Sequence, residues 1–314
     1  MVTVIITSYK EPKTIGRCIS CIANKKYSGL KGSFEIIQVS PDDATLNAGK
    51  REANKLHLGK KTFIQIRDPK RGKPYALNMA LSKAHGDIII LTDGDTYFER
   101  DSVKEILLPF SNNKKIGGVS GRPVSGDLKD NKFGYWGNLL ADAAHHRRSH
   151  AMNEVKDTNY YISDKTFFPM SGYIMAIRNM EINVPPEILS DDAYISYYIR
   201  NKNMEIAYTP KAICYVKYPT NLTDYLKQKV RSLGGYTQLK RIGIYKRDKQ
   251  SRSFSIELKY TTFVLKYAEN FKQFIWSLEL FPVRLITWIC IFWKRVILRQ
   301  GNPKTGWERI ESTK

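Results

Sequence analysis

A few short stretches of the 314-residue chain concentrate the groups able to do acid–base, metal or phosphate chemistry. Asp93-Gly94-Asp95 follows the apolar run Ile88-Ile89-Ile90-Leu91-Thr92. An apolar strand that delivers carboxylates to its end needs a partner for their charge, and a hard divalent cation such as Mg²⁺ or Mn²⁺ would supply one. Taken alone the same triplet also reads as a turn, because Asp-Gly favours turns. Arg71-Gly72-Lys73-Pro74 stands before a helical pattern, where a cation and a helix N-terminus could meet a phosphate. It reads equally as an exposed basic loop. Asp191-Asp192 opens another helical pattern, either as an N-cap pair or as a carboxylate whose neighbour raises its proton affinity.

The elements that must position these groups follow from hydrophobic patterning. Val2–Thr7, Phe34–Val39, Thr62–Ile66 and Asp87–Thr92 are continuous apolar runs rich in β-branched residues, as in strands buried on both faces. Helical patterns over Thr14–Ala23, Ala44–Leu56 and Tyr75–Ala84 lie between them. This β-α-β-α order predicts a mostly parallel sheet with helices on both faces. Ligands of such sheets bind along the C-terminal strand edge. The residues predicted at that edge are Thr7-Ser8-Tyr9, Ser40-Pro41-Asp42-Asp43, Arg67-Asp68 and Asp93-Gly94-Asp95. Further on, residues 134–152 read as a helix, Ser171–Arg178 as a strand after a turn, and Asp191–Arg200 as a helix.

Lys and Arg outnumber Asp and Glu by 51 to 30, a formal charge of +21. Such a surplus points to an anionic partner: nucleic acid, acidic membrane or phosphorylated substrate. The four cysteines exclude a disulfide scaffold. Cys18-x-x-Cys21 falls on an amphipathic helix and reads as a packed face. His145, His146 and His150 read as a solvated face beside Arg147 and Arg148. Met1-Val-Thr-Val-Ile-Ile has no basic n-region, so a cytoplasmic location is expected. From residue 216 onward the chain turns basic and aromatic. Phe281–Trp293 is its most apolar stretch, shorter than the roughly 20 residues a bilayer span needs. It reads as a helix lying in the membrane interface, within a segment around 274–299, or as a core helix.

Together, Val-Ile-Ile-Thr-Ser-Tyr-Lys-Glu at 4–11, Gly-Lys-Pro-Tyr-Ala-Leu-Asn at 72–78, Thr-Asp-Gly-Asp at 92–95 and Ser-Asp-Asp at 190–192 resemble the family 2 inverting glycosyltransferases of the GT-A fold. Gln228-Lys-Val-Arg231-Ser232 is similar to the Gln-x-x-Arg-Trp motif of the cellulose, chitin and hyaluronan synthase branch, with Ser232 in place of tryptophan. The resemblance covers roughly residues 1–235. It implies an α/β, Rossmann-like GT-A domain over 1–215, with a nucleotide-sugar half at 1–96 and an acceptor half at 97–215. A basic helical region over 216–314 follows.

The resemblance also implies site roles. Thr7, Tyr9, Glu11, Lys73, Asp93 and Gly94 would bind the nucleotide sugar. Asp42 or Asp43 would contact the base, although Ser40-Pro41 intervenes after the strand. Asp93 and Asp95 would hold Mg²⁺ or Mn²⁺, Asp192 would be the catalytic base, and Gln228 and Arg231 would lie near diphosphate and acceptor. The implied donor is a nucleotide-diphosphate sugar, a UDP-sugar by expectation, and the acceptor a lipid-linked molecule or a polysaccharide at the inner face of the cell membrane. The expected partners are that anionic membrane surface and a membrane protein subunit, with no nucleic acid. The alternative is a basic nucleic-acid-binding protein without catalysis, although no helix-turn-helix, zinc-finger or RNP-type signature is present.

Overall fold

Alternation within the apolar strands divides them between two cores. The computed structural model describes residues 1–163, 168–245, 261–293 and 310–313. Val2–Thr7 (β1), Phe34–Ser40 (β2), Phe63–Arg67 (β3) and Ile88–Asp93 (β4) pair in parallel in the order β3-β2-β1-β4. Ile5, Ile37, Ile89 and Leu91 face one core, while Val4, Ile6, Ile36 and Ile90 face the other. Burial on both faces is what continuous Val/Ile runs require. The helices Ile15–Ala23 (α1), Lys25–Ser28 (α2), Asp43–Lys55 (α3) and Lys73–Leu81 (α4) connect the strands.

β1 has β2 on one side and β4 on the other. The chain therefore reverses its direction of travel across the sheet at β1, which opens a crevice at the strand C-termini. Thr7 and Asp93 are register partners there. β4 ends one residue later than expected and so includes Asp93. Helix α4 starts two residues earlier than expected. Gly72 at φ 100° turns the chain into it and Pro74 occupies its first turn, so Lys73 is fixed at the helix start.

The second half extends the sheet. Tyr97–Phe98 (β5), Ser102–Asn112 (α5), Ile116–Ser125 (β6) and Lys132–Ala151 (α6) are followed by Asn153–Glu154 (β7), Tyr161–Ile162 (β8) and Met175–Arg178 (β9). Asp191–Asn201 (α7) and Glu205–Val216 (β10) complete it. The order continues β4-β9-β6-β10-β8-β7, with β5 on β10. β9 runs antiparallel to both β4 and β6, while β6 and β10 are parallel. Of the segment Ser171–Arg178 only the last four residues form the strand, and Ser171 and Ile174 bridge across the turn before it.

The helices Leu222–Arg241 (α8), Thr261–Lys266 (α9) and Phe271–Phe292 (α10) follow. Tyr236 and Leu239 of α8 join the core beneath the sheet. Tyr135, Trp136, Leu139, Tyr225 and Leu280 form a third cluster that ties α6, α8 and α10 together. Two hydrogen bonds pin α10 within it: Tyr135 Oη to Ser277 Oγ at 2.7 Å, and Trp136 Nε1 to the Trp276 carbonyl at 2.7 Å.

The expected interfacial segment proves two-sided. Gln273, Ser277, Leu280 and Thr287 are buried at helical spacing, and Leu278, Leu285, Ile286 and Ile289 stand 41–54% exposed. Residues 294–299 of that segment lie outside the described residues. No described helix is long and apolar enough to cross a membrane.

Buried polar contacts lock α6 and α7 onto the sheet. The His145 ring shares a 2.7 Å hydrogen bond with Tyr208 Oη on β10, so this histidine packs inward, contrary to a solvated face. Burial, aided by the Arg122 charge, lowers its pKa to about 4. The unfolded chain takes up the proton near the usual histidine pKa of roughly 6.5 and the folded one does not. Stability is expected to fall as pH drops from roughly 6.5 toward 4, and His145→Gln is expected to flatten that slope in urea titrations across this range. The Arg200 guanidinium, 1% exposed, pairs with Glu205, and Ser163 Oγ donates to the same carboxylate at 2.8 Å. Arg200→Ala is expected to cost about 3–5 kcal/mol in denaturant unfolding by stranding that charge.

Candidate active site

Three elements deliver charge to one point at the crevice. Lys73 Nζ, from the start of α4, lies 2.6 Å from Asp93 Oδ1 at the end of β4. It also lies 3.5 Å from Asp191 Oδ2 at the start of α7. Burial of Lys73 opposes its charge, but the carboxylates of Asp191 and Asp93 outweigh it and hold the ammonium well above the usual lysine range. Burial raises Asp191, with Asp192 and Asp93 adding like-charge repulsion against the pull of Lys73. Thr7 Oγ1 donates to Asp93 Oδ1 at 2.9 Å, so the β1–β4 register places the first carboxylate.

The Asp93-Gly94-Asp95 turn is held from behind. Gly94 N donates to the Thr7 carbonyl at 2.9 Å, and a Cβ on Gly94 would lie 2.5 Å from Glu11 Oε2. Glu11 is 7% exposed and its carbonyl accepts the first amides of α1, so it supports the turn from the protein side. Cys18 is fully buried and its Sγ donates to the Asp93 carbonyl at 3.6 Å.

Around Tyr9 the site is cationic. Lys10 Nζ and Lys70 Nζ stand 5.6 and 5.5 Å from its ring, leaving an aromatic flanked by positive charge at the crevice rim. Asp42 and Asp43 diverge from this group. Asp42 caps α3, accepting from the Thr45 amide at 2.9 Å and the Lys10 amide at 2.7 Å. Burial opposes its ionisation, yet these hydrogen bonds prevail and lower its pKa. Asp43 is exposed and pairs with Arg67 at 2.6 Å. Asp68, the acid after β3, is 6% exposed with its pKa raised by burial and by the Asp42 charge.

Asp192, beside Asp191 in the first turn of α7, is clasped in place. Its Oδ1 accepts from Ser190 Oγ and from the Ala193 amide, each at 2.7 Å, and its Oδ2 accepts from the Gly172 amide at 3.2 Å. The carboxylate is thereby oriented while still lining a cavity of about 690 Å³. Lys73, Asp93 and Asp191 line the same cavity, as do Gln228 and Arg231 of α8. The helix approaches closely because a Cβ on Gly235 would lie 2.7 Å from the Ser190 Cβ. Gln238 clamps the loop before α7, accepting from the Leu189 amide at 3.0 Å and donating to the Glu187 carbonyl at 2.7 Å.

Sequence reasoning passed over Tyr173, Gln238 and Gly235. Burial, then the charges of Asp95 and Asp93, push the Tyr173 phenol up to about 12. Its signal was its place just after Ser171-Gly172, before a strand that pairs with β4. Gln238 carries no signal in sequence, because its role is defined by a loop about 50 residues away in the chain. Among the described residues, no group of three or more His, Cys, Asp or Glu is arranged to hold a metal ion.

Comparison with known proteins bears on this arrangement. The sequence model described as glycosyltransferase like family 2 matches residues 1–235. The poly-beta-1,6-N-acetyl-D-glucosamine synthase of Staphylococcus aureus (strain COL) is 24% identical over 253 residues, which cover 76% of this chain and 56% of that protein. The protein of the same name from Staphylococcus epidermidis is 22% identical over 250 residues. The chain thus spans about 56% of the length of these curated relatives. Among solved structures, the mannosyltransferase PcManGT from Pyrobaculum calidifontis, in complex with GDP-Man and Mn²⁺, aligns with a TM-score of 0.59. It is 16% identical, and the alignment covers 93% of this chain and 87% of that one. The likeness shows a shared GT-A fold. Between an enzyme and a basic protein without catalysis, the family match decides for the enzyme. The chain belongs to glycosyltransferase like family 2 and is a glycosyltransferase.

Proposed function

We propose that the enzyme catalyses a metal-dependent, inverting transfer of a hexose or hexosamine from a nucleotide-diphosphate sugar, by preference a UDP-sugar, to a lipid-linked or polysaccharide acceptor at the cytoplasmic membrane face. The observation that carries this reading is the convergence of Asp93, Lys73, Asp191 and Asp192 with Gln228 and Arg231 on one cavity. Nucleotide contacts would come from Thr7, Tyr9 and the lysines beside it. Asp42, engaged as a helix cap, would order the loop under the base, and Asp43 would sit at its rim.

The chain's own residues account for each requirement of the reaction. The Asp192 carboxylate takes the proton of the acceptor hydroxyl as the acceptor oxygen bonds to the anomeric carbon. The bond from that carbon to the diphosphate breaks, and its electron pair leaves with the diphosphate. Lys73 and Arg231, which line the same cavity, stabilise the departing charge. Gly172 and Ser190 aim the base and need not move during the step.

The donor set fits a hard cation. Two carboxylates on one turn, without a protein cage, suit Mg²⁺ or Mn²⁺, which share their coordination with substrate phosphates and water. Asp93 and Asp95 would hold the ion, and it would neutralise charge on the leaving diphosphate. PcManGT, with the same fold, was solved with Mn²⁺. The exposed apolar stripe of α10 and the +21 charge support association with an anionic membrane surface, alone or beside a membrane subunit.

A screen of UDP-, GDP- and dTDP-sugars with Mn²⁺, Mg²⁺ or chelator tests the reading. One donor is expected to release its nucleotide only when metal is present, with chelation lowering the rate about 10²-fold or more. No binding of any donor by folded protein would overturn it. Asp192→Asn is expected to lower kcat by roughly 10²–10⁴-fold while leaving donor affinity and the thermal midpoint close to wild type. Full activity in that variant would remove Asp192 from the role of base.

A further inference from the structure

Tyr173 combines a fixed backbone with a polar end that the protein leaves unused. It stands in the turn that Ser171 and Ile174 bridge. The Ser171 amide donates to Ser120 Oγ at 3.1 Å, which fastens the turn to β6. The next two residues are tied to different parts of the site. The Gly172 amide donates to Asp192 Oδ2 at 3.2 Å, and the Tyr173 carbonyl accepts from Thr92 Oγ1 at 2.7 Å. Thr96 Oγ1 lies 2.7 Å from Thr92 Oγ1 and 2.9 Å from the Asp93 carbonyl, and its hydroxyl can donate to either. One short turn thus links the carboxylate of Asp192 to the turn that carries Asp93 and Asp95. Tyr173 lines the cavity together with Lys73, Asp93, Asp192 and Arg231. The charges of Asp95, Asp93, Arg231 and Lys73 all act on its phenol, so that group stands among them. Among the described residues the phenol has no hydrogen-bonding partner.

We infer that Tyr173 is a specificity residue for the transferred sugar, its phenol hydrogen-bonding that sugar while it is still joined to the diphosphate. This deepens the proposed function and rests on it. The sugar must lie between the base that receives the acceptor proton and the diphosphate that departs. A turn tied to Asp192 at one residue and to Thr92, next to Asp93, at the following one borders that space. A tyrosine hydroxyl inside a protein ordinarily finds a partner, and one left over at a reaction centre is explained by a substrate atom. A ring needed for packing alone would serve as well without its oxygen. The phenol is neutral and both donates and accepts, which suits a sugar hydroxyl. Diphosphate oxygens are better met by the cations Lys73 and Arg231 of the same cavity. A site that hydrogen-bonds one substituent of a sugar discriminates against sugars that lack it, because the protein group is then left unpaired.

The test is a calorimetric titration of the full chain, with Mn²⁺ present, against UDP-glucose, UDP-N-acetylglucosamine, GDP-mannose and dTDP-glucose. Each is compared with UDP, GDP or dTDP carrying no sugar. Tyr173→Phe, which keeps the ring, is expected to weaken the best-bound sugar nucleotide about three- to tenfold, the worth of one neutral hydrogen bond. The sugar-free nucleotide is expected to bind variant and wild type alike. Tyr173→Ala removes the ring as well, and the ratio of kcat/KM between the two best donors is expected to shift about tenfold or more. Unchanged affinity for the sugar nucleotide in Tyr173→Phe would overturn the inference. So would an equal loss for the sugar-free nucleotide, since the phenol would then serve the diphosphate or the fold. Failure of the wild-type chain to bind any of the four donors counts against the transferase site itself. Wild-type binding that Tyr173→Phe leaves intact counts against Tyr173 alone.

Discussion

One ammonium group holds the site together. Asp93, Asp191 and Asp192 approach each other from a strand end and a helix start, and carboxylates crowded this way repel. Lys73 offsets that repulsion through its contacts of 2.6 and 3.5 Å to Asp93 and Asp191. It does so from the first turn of α4, which exists at that place only because Gly72 adopts a left-handed φ and Pro74 tolerates the helix start. The two halves of the sheet are thus joined at the crevice by an ion pair as well as by backbone pairing. The first half of the chain supplies Lys73 and Asp93, and the second supplies Asp191.

Much of the first half is legible in the sequence, for a physical reason. β1 to β4 are buried on both faces, so their composition alone announces them, and their ends carry the polar residues that matter. The second half hides its strands. β6 reads Ile-Gly-Gly-Val-Ser-Gly-Arg-Pro-Val-Ser because helix α7 and the next strand press against it: a Cβ on Gly117 would lie 2.7 Å from Ile199, and one on Gly121 would lie 2.5 Å from the Ala212 carbonyl. Tertiary crowding there overrides strand propensity. β10 is disguised by Pro210 and by a register shift between Tyr208 and Ile213.

The site divides along the same line. Thr7 and Asp93 stand at strand ends, and Lys73 and Asp192 in the first turns of helices. Asp42 and Asp43 separate because Ser40-Pro41 moves the acids past the strand end, where one becomes a cap and the other a surface ion pair. The histidine-rich face of α6 looks solvated in sequence because His145, Arg147 and Arg148 are polar. Yet His145 bonds to Tyr208 of β10 and both arginines lie by the Phe168 ring, while His150 stays exposed. Likewise α10 appears as one apolar stretch. Only packing against Tyr135 and Trp136 reveals which stripe is committed to the protein and which faces outward.

The clamp formed by Gln238 sets where the chain can be divided. The stretch shared with the family ends at residue 235, three positions before the amide that holds the Glu187–Leu189 loop. Leu239 and Ile244, also past that point, fill the core beneath α7. A fragment cut at the limit of family similarity would keep Asp191 and Asp192 yet lose the bolt that seats them. The stretch matched by the family and the stretch that packs the loop before α7 therefore have different ends in this chain.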